Sequence, residues 1–496
     1  MTMTISHSSY HLFLTNFVLF SVLGLSACTV GTDFVEPIAP STPQYSHESL
    51  PESVKFNKEM PALWWQVFHS PELDALIKKA LTHSPDLQAA GATLTQAREL
   101  AAVKEGDFYP AIDASFSNSR LKTSGAQFGR PDMAGTLFSL YNASINVSYT
   151  LDVFGGIERQ VESLLAEADY QKFQLEGAFL TLSSNIVLTA ITEAALREQI
   201  SVTELAIKAR VEQLDIVKQQ QTLGSATQVE VLAQQTALEQ QKSSLPILQK
   251  QLQQTRHRLA VLVGDEPNKE PTAQFTLKNL SLPKELPVSL PSKLVKQRPD
   301  IRAQIALLHA ANAKIGAATA KMFPDFTITA DLGSIASKAA DWFMPGSAIW
   351  SAGNKLLQPL FHGNANLRQR DAMIAAYQAA DAHYQSTVLQ GLQNVADVLT
   401  AVKHDGDALT IQNATVDSAK ASLDLAKTQY QTGATSYLAV LNAENAYQQA
   451  RIEQVKTQAL QLSNAASLFA ALGGGWWQRP ELPAQPIKSI PIMEFK

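Results

Sequence analysis

The chain carries one thiol, Cys28, set directly after Leu25-Ser26-Ala27. A single Cys excludes a disulfide framework and any Cys-rich metal site. The ten His residues are scattered, and the only pair at helical i, i+4 spacing is His7 and His11, inside a segment that reads as cleaved. Ligand spacing for a zinc site is therefore missing. The sequence has no Gly-x-Ser-x-Gly nucleophile elbow and no Gly-x4-Gly-Lys-Ser/Thr phosphate loop. With no acid, base, nucleophile or ligand cluster in view, neither an enzyme nor a cofactor is expected. The one chemical event these residues invite is covalent modification of the Cys28 thiol.

The elements around that thiol point to a membrane. His11 to Leu25 form an apolar run about as long as a signal-peptide core, too short for a comfortable spanning helix. Leu25-Ser26-Ala27-Cys28 resembles the bacterial lipoprotein box, in which the Cys takes a diacylglycerol and becomes the first residue after cleavage. No Lys or Arg precedes Lys55, so the usual positive flank is absent. Residue 29 is Thr, not the Asp that tends to retain enterobacterial lipoproteins at the inner membrane, which implies an outer-membrane destination. No later stretch reaches the roughly 18 uninterrupted apolar residues of a spanning helix, so any crossing must use strands. The 496 residues hold 40 basic and 45 acidic side chains, a net charge of −5 with no basic block, which argues against a nucleic-acid partner. Ala, Gln and Leu dominate long stretches, favouring extended helical architecture.

The chain also repeats itself at an offset slightly above about 200 residues. Pro85-Asp86-Leu87 with Tyr109-Pro110 returns as Pro299-Asp300-Ile301 with Phe323-Pro324. Leu151 to Gly156 returns loosely as Pro359 to Gly363, Thr222-Leu223-Gly224-Ser225-Ala226 as Gln431-Thr432-Gly433-Ala434-Thr435, and Leu262-Val263-Gly264 as Ala471-Leu472-Gly473. Between these landmarks, 157–222 and 364–431 lack Pro, so each reads as one helix of roughly 100 Å at about 1.5 Å per residue. Returning helices follow at 227–262 and 436–471, with Pro246 expected to kink or break the first.

Strands are expected where long and short helices meet. From Tyr141 to Val153 every second residue is apolar or aromatic, with Asn142, Ser144, Asn146, Ser148, Thr150 and Asp152 between them. Such alternation is long enough to cross a bilayer when tilted, one face to lipid and one to a wet lumen. Residues 111–119 and 325–335 read similarly, and 347–360 is blurred by Gly353 and Pro359. A half-buried sheet in a soluble domain would show the same alternation. Four strands cannot close a membrane barrel, and open edges are forbidden in lipid, so closure requires oligomerisation; three copies give twelve strands.

These residues meet a family resemblance. Trp64-Trp65-Gln66-Val67-Phe68 through Pro71-Glu72-Leu73-Asp74-Ala75-Leu76, Gln297-Arg298-Pro299-Asp300-Ile301 through Ala311-Asn312-Ala313-Lys314-Ile315-Gly316 to Phe323-Pro324, Tyr437 to Glu444, and Leu468 to Trp476 resemble the TolC-like outer membrane factors, nearest the lipidated NodT and OprM branch. The resemblance implies an α+β membrane protein: a homotrimer with a twelve-stranded outer-membrane β-barrel, four strands per chain, continued by a periplasmic α-helical coiled-coil barrel. Its domains would be a signal peptide 1–27, an equatorial segment 28–82, a first repeat 83–264, a Pro-rich connector 265–296, a second repeat 297–473 and an equatorial tail 474–496. It implies passive export of small molecules in a tripartite efflux pump, with a periplasmic adaptor and an inner-membrane pump of the resistance-nodulation-division type as partners. A type I secretion duct is the alternative within the family. A periplasmic adaptor or structural lipoprotein would explain the helices without the alternating strands.

The same resemblance implies the sites. Thr222, Leu223, Gly224 and Ser225, with Thr432, Gly433, Ala434 and Thr435, would form tips that meet the adaptor, though they would also serve as ordinary helix connections. Tyr430, Leu438, Ala439 and Asn442 would form a periplasmic gate. Leu438 would supply an apolar ring, or else sit in a coiled-coil core; Tyr430 would supply a hydrogen bond holding the closed helices. The chain departs from the family at Asn442, where a carboxylate is common, and at Ala439, where some members carry a second. That departure implies weaker cation selectivity and weaker block by divalent ions.

Overall fold

A computed structural model describes residues 29–479 apart from 41, 43, 46–53, 57–59, 270, 272, 283 and 284. Cys28, the segment before it and the tail from 480 lie outside the described residues. The elements run β1 (Val54–Phe56), α1 (Pro71–His83), α2 (Pro85–Glu105), β2 (Ala111–Lys122), β3 (Leu137–Leu151), α3 (Gly156–Thr222), α4 (Gln228–Val263), β4 (Leu286–Val288), α5 (Pro291–Gln297), α6 (Pro299–Ala320), β5 (Asp325–Ala336), β6 (Ala348–Leu357), α7 (Ala365–Gln431) and α8 (Tyr437–Ala471). The order α2-β2-β3-α3-α4 recurs as α6-β5-β6-α7-α8, and α3 and α7 each have 67 residues. The described residues divide into two compact units, one within 29–37, 95–170 and 304–384, the other within 38–94, 171–303 and 385–479.

The first unit is built on one antiparallel sheet of order β2-β3-β5-β6. In its central rungs the register aligns side chains of one kind across all four strands. Ala114, Ile145, Leu332 and Trp350 stand in one rung, and Ile112, Val147, Ala330 and Ala352 in another on the same face. The intervening rung, on the opposite face, is Asp113, Asn146, Asp331 and Ser351. Successive side chains alternate across a pleated sheet, so through these central rungs one face is apolar and the other polar; beyond Tyr141 the pattern reverses, with Leu140 and Phe138 on the face of Asn146 and Arg120 on the face of Ile145. The polar face bonds to itself: the Ser115 and Ser144 hydroxyls lie 2.9 Å apart, Asn146 Nδ2 donates to Ser115 Oγ at 3.2 Å, and Ser351 Oγ to Asp331 Oδ2 at 2.9 Å. The outer strands β2 and β6 are exposed along their length, and their free edges pair with no strand among the described residues.

β3 departs from the sequence expectation at both ends. It begins at Leu137, where Leu137–Leu140 pair with Ser119–Lys122, and stops at Leu151. Beyond it Asp152 Oδ2 accepts a hydrogen bond from Glu158 N at 2.7 Å, capping the first turn of α3.

A strap of residues 29–34 is tied to this unit. Val30 N donates to Phe154 O at 3.1 Å, and Asn312 Nδ2 to Thr32 O at 2.8 Å. The buried Arg159 donates to the Val30 and Gly31 carbonyls and pairs with Asp33 and Glu162 at 2.7 Å each. Phe34 stacks on His309, ring centroids 4.5 Å apart. Gly155 is left-handed, with φ 71°, and a Cβ there would stand 2.4 Å from Thr29 Cγ2; the strap requires glycine at that junction.

In the second unit the core forms around Trp64, Trp65 and Phe68, all buried, with Phe179, Ile186, Leu259 and Phe469 among their cluster. Trp64 stacks on Phe469 with centroids 5.7 Å apart. Ser70 caps α1 by accepting from Leu73 N, and Pro71 fits the first turn because no helical partner is needed for its missing N–H. Beside this core Glu193 binds Arg197 and Arg256, and Arg256 also donates to Pro271 O at 2.8 Å, fastening the connector. Arg479 pairs with Glu176 and lies 3.5 Å over the Phe179 ring.

Two proline-bearing segments of this unit hold regular structure. The connector carries regular structure, since β4 pairs in parallel with β1 and α5 starts with Pro291 at a position that tolerates it. Pro246 does not break α4, which continues through it from Gln228 to Val263. One window of α3 has mean hydropathy 1.4 over 18 residues, but 67% of it is buried within the protein, so its apolar side chains serve helix packing.

Candidate functional site

The two turns that join long helices to returning helices close in the same way. After α3, Gly224 N donates to Gln221 O at 2.9 Å and Ser225 N to Gln220 O at 2.8 Å. After α7, Gly433 N donates to Tyr430 O at 3.0 Å and Ala434 N to Gln429 O at 2.8 Å. Both are six-to-one helix stops that need a left-handed residue, supplied by Gly224 at φ 78° and Gly433 at φ 73°. Thr222, Leu223, Gly224, Ser225, Thr432, Gly433 and Ala434 are exposed and Thr435 is half-buried. Leu223 is 83% exposed, an apolar side chain presented at the end of a hairpin.

The tips differ in how the next helix starts. Thr227 and Glu230 form a reciprocal capping box on α4, with Thr227 N donating to Glu230 Oε2 at 2.6 Å and Glu230 N to Thr227 Oγ1 at 3.3 Å. The Thr227 N–H, then its hydroxyl, hold the Glu230 carboxyl below the ordinary range. Ser436, at the start of α8, makes no such side-chain cap.

Tyr430 is half-buried, and its hydroxyl donates to Gln220 Oε1 at 2.8 Å, linking α7 to α3. Its ring meets Tyr437 edge-on at 5.3 Å and packs against a small core of Leu214, Val217, Val231, Leu238 and Tyr437. Leu438 lies outside that core, 62% exposed, so within one chain it is no coiled-coil core residue. Asn442, one turn further along α8, is exposed beside it, and Ala439 is half-buried. Leu438 and Asn442 thus share one face, at i, i+4 spacing.

Sequence reasoning missed the polar groups behind this face. Arg210, Gln234 and Glu444 are buried near the hairpin ends, although pattern reading assigns such residues to solvent. Arg159 and Gln220 are likewise unmarked, because nothing local in the chain names Asp33 or Tyr430 as their partners.

Comparison with known proteins agrees with this architecture. The family model for outer membrane efflux proteins matches residues 76–265 and 290–474. The pyoverdine export outer membrane protein OpmQ of Pseudomonas putida is 30% identical over 464 residues, covering 92% of this chain and 96% of its own. The cation efflux system protein CusC of Escherichia coli is 28% identical, covering 92% and 97%. The solved structure of the outer-membrane channel OprN superposes with a TM-score of 0.83 at 25% identity, covering 90% of this chain and all of that one. The chain belongs to the outer membrane efflux protein family.

Proposed function

We propose that the protein is the outer-membrane exit duct of a tripartite efflux pump, passing small molecules without chemistry of its own. The observation that carries this reading is the four-stranded sheet, with one apolar and one polar face through its central rungs and two open edges. In lipid those edges need partners. β2 and β6 run antiparallel in the strand order, so β6 of one copy can pair with β2 of the next without breaking the alternation. Three copies then close twelve strands with apolar side chains outward and a wet lumen inside. The long helices continue the conduit through the periplasm, and the energy comes from an inner-membrane pump. OpmQ is named for pyoverdine export and CusC for cation efflux, which supports small molecules as the cargo class. A resistance-nodulation-division pump is the inner-membrane partner we assign.

The tips at Thr222–Ser225 and Thr432–Thr435 would dock a periplasmic adaptor through their exposed ends. Leu438 and Asn442 would narrow the pore, an apolar ring that dewets it beside an uncharged polar ring. Replacing Asn442 with Asp is expected to give the pore cation selectivity and block by millimolar divalent ions. Reversal potentials in planar bilayers measure the selectivity, and the fall in current on adding a divalent ion measures the block. If Asn442→Asp leaves selectivity and block as in the parent, the face bearing Leu438 and Asn442 does not line the pore.

Cys28 would carry the lipid anchor. It directly precedes Thr29, and Thr29 is seated on Gly155 where β3 hands over to α3, with its hydroxyl donating to Glu158 at 2.9 Å. Such a seat supports acyl chains entering the membrane at the end of the sheet. Labelled palmitate is expected on the parent and absent from Cys28→Ser; equal labelling of both would refute the anchor.

A further inference from the structure

Behind the gate face lies a polar layer that the constriction does not use. Arg210 of α3, Gln234 of α4, and Tyr437 and Glu444 of α8 are 2%, 0%, 5% and 2% exposed. Arg210 gives one nitrogen, Nη2, to Asn445 Oδ1. Its Nε and Nη1, both amide atoms of Gln234, Tyr437 Oη and Glu444 Oε2 are buried without a hydrogen-bond partner among the described residues. A half-satisfied layer of this kind is less stable than hydrocarbon of the same shape. Packing stability therefore does not account for it.

The hydrogen bond that Arg210 makes lands on the gate helix. Leu438, Asn442 and Asn445 follow at i, i+4, i+7 and are exposed together along α8. Tyr437 and Glu444, themselves i, i+7, form its buried edge. Burial pushes the Tyr437 phenol up, Glu444 adds to that and Arg210 opposes it, so both charges act at that edge. Arg210 reaches from the buried layer to the third member of the exposed stripe. A helix held at both edges has a fixed rotation about its axis. Tyr430 and Gln220 make the corresponding tie between α7 and α3.

We propose that Arg210 is a positioning residue for the gate: through Asn445 it sets the rotation of α8, and hence the direction in which Leu438 and Asn442 point. The unsatisfied layer makes that setting releasable, because its atoms gain partners when α8 turns, leaving two arrangements close in energy. The proposal rests on the reading of Leu438 and Asn442 as the constriction.

The test uses the full-length protein in planar bilayers, with Arg210→Met, Arg210→Lys, Asn445→Ala, Tyr430→Phe and Leu438→Ala. Arg210→Met and Asn445→Ala are each expected to raise the open population about tenfold, equivalent to about 1.4 kcal/mol. Arg210→Lys, which keeps the charge and a donor, should restore most of the closure. Arg210→Met leaves Glu444 buried without an opposing charge and is expected to lower the temperature at which the assembly dissociates, whereas Asn445→Ala, which keeps both charges, is expected to leak with that temperature unchanged. Leakage accompanied by a lower dissociation temperature, with Asn445→Ala silent, would show a merely structural role and overturn the proposal. So would an Arg210→Met pore that conducts like the parent while Tyr430→Phe leaks, an outcome that leaves the gate reading intact. If Tyr430→Phe, Leu438→Ala and Arg210→Met all leave conductance unchanged, the gate reading fails and the proposal with it.

Discussion

Arginine at Ile145 is expected to cost the folded protein about 2–4 kcal/mol in a bilayer, while arginine at the adjacent Asn146 is expected to be nearly neutral. The two positions are neighbours in β3 and differ only in the face they occupy. Ile145 shares its rung with Ala114, Leu332 and Trp350, so a cation there would be surrounded by side chains suited to hydrocarbon. Asn146 shares its rung with Asp113, Asp331 and Ser351, which offer hydrogen bonds and two carboxylates. A charge on the lipid side must be desolvated, whereas a charge in the lumen stays wet. Urea unfolding of each variant in phosphatidylcholine vesicles measures the difference. Equal destabilisation at both positions would contradict the assignment of the two faces.

The second large effect is expected in the core of the other unit. Trp65→Ala should cost about 3–5 kcal/mol, through lost packing and a cavity that the surroundings only partly fill. Trp65 is buried against Phe179, centroids 6.1 Å apart, and edge-on to Trp64 at 6.2 Å. Its Nε1 also donates to Asp74 Oδ1 at 3.1 Å. Burial alone would raise the Asp74 carboxyl, but hydrogen bonds from Lys78, Gln66 and Trp65 hold it below the ordinary range. Trp65→Phe should recover much of the packing without the hydrogen bond. The denaturant midpoint of this unit, followed by tryptophan fluorescence, reads the loss; a change below about 1 kcal/mol would mean that the core is anchored elsewhere.

The sequence was most informative where structure depends on local chemistry. The paired glycine turns at 224 and 433 mark helix ends because their left-handed backbone is hard for other residues, and long Pro-free stretches between landmarks could only be helices or coil. Alternation marked β3 and β5 clearly. It marked β6 poorly, because Gly353 and Pro359 blur the pattern, and only pairing with β5 defines that strand as Ala348–Leu357. The short elements β4 and α5 escaped notice because their reason for existing is tertiary: β4 is buried against β1, and α5 rests on the buried Leu294 and Val295.

The candidate site divides along the same line. Gate and tip positions were marked by resemblance, and the structure adds their exposure and the Tyr430–Gln220 bond. Arg210 and Glu444 could not be found this way, since a charged residue inside a helical bundle looks like a surface residue until its neighbours are known. Arg159 was hidden for the same reason, as its partners lie about 130 residues away in the strap at Val30–Asp33.

The central claim is that several copies of the chain share one closed barrel, and the mass of the detergent-solubilised outer-membrane protein tests it most directly. Light scattering corrected for bound detergent should give three copies per particle, with β6 of each copy paired to β2 of the next. A stable single copy in the membrane extract would leave two strand edges open in lipid and contradict the account.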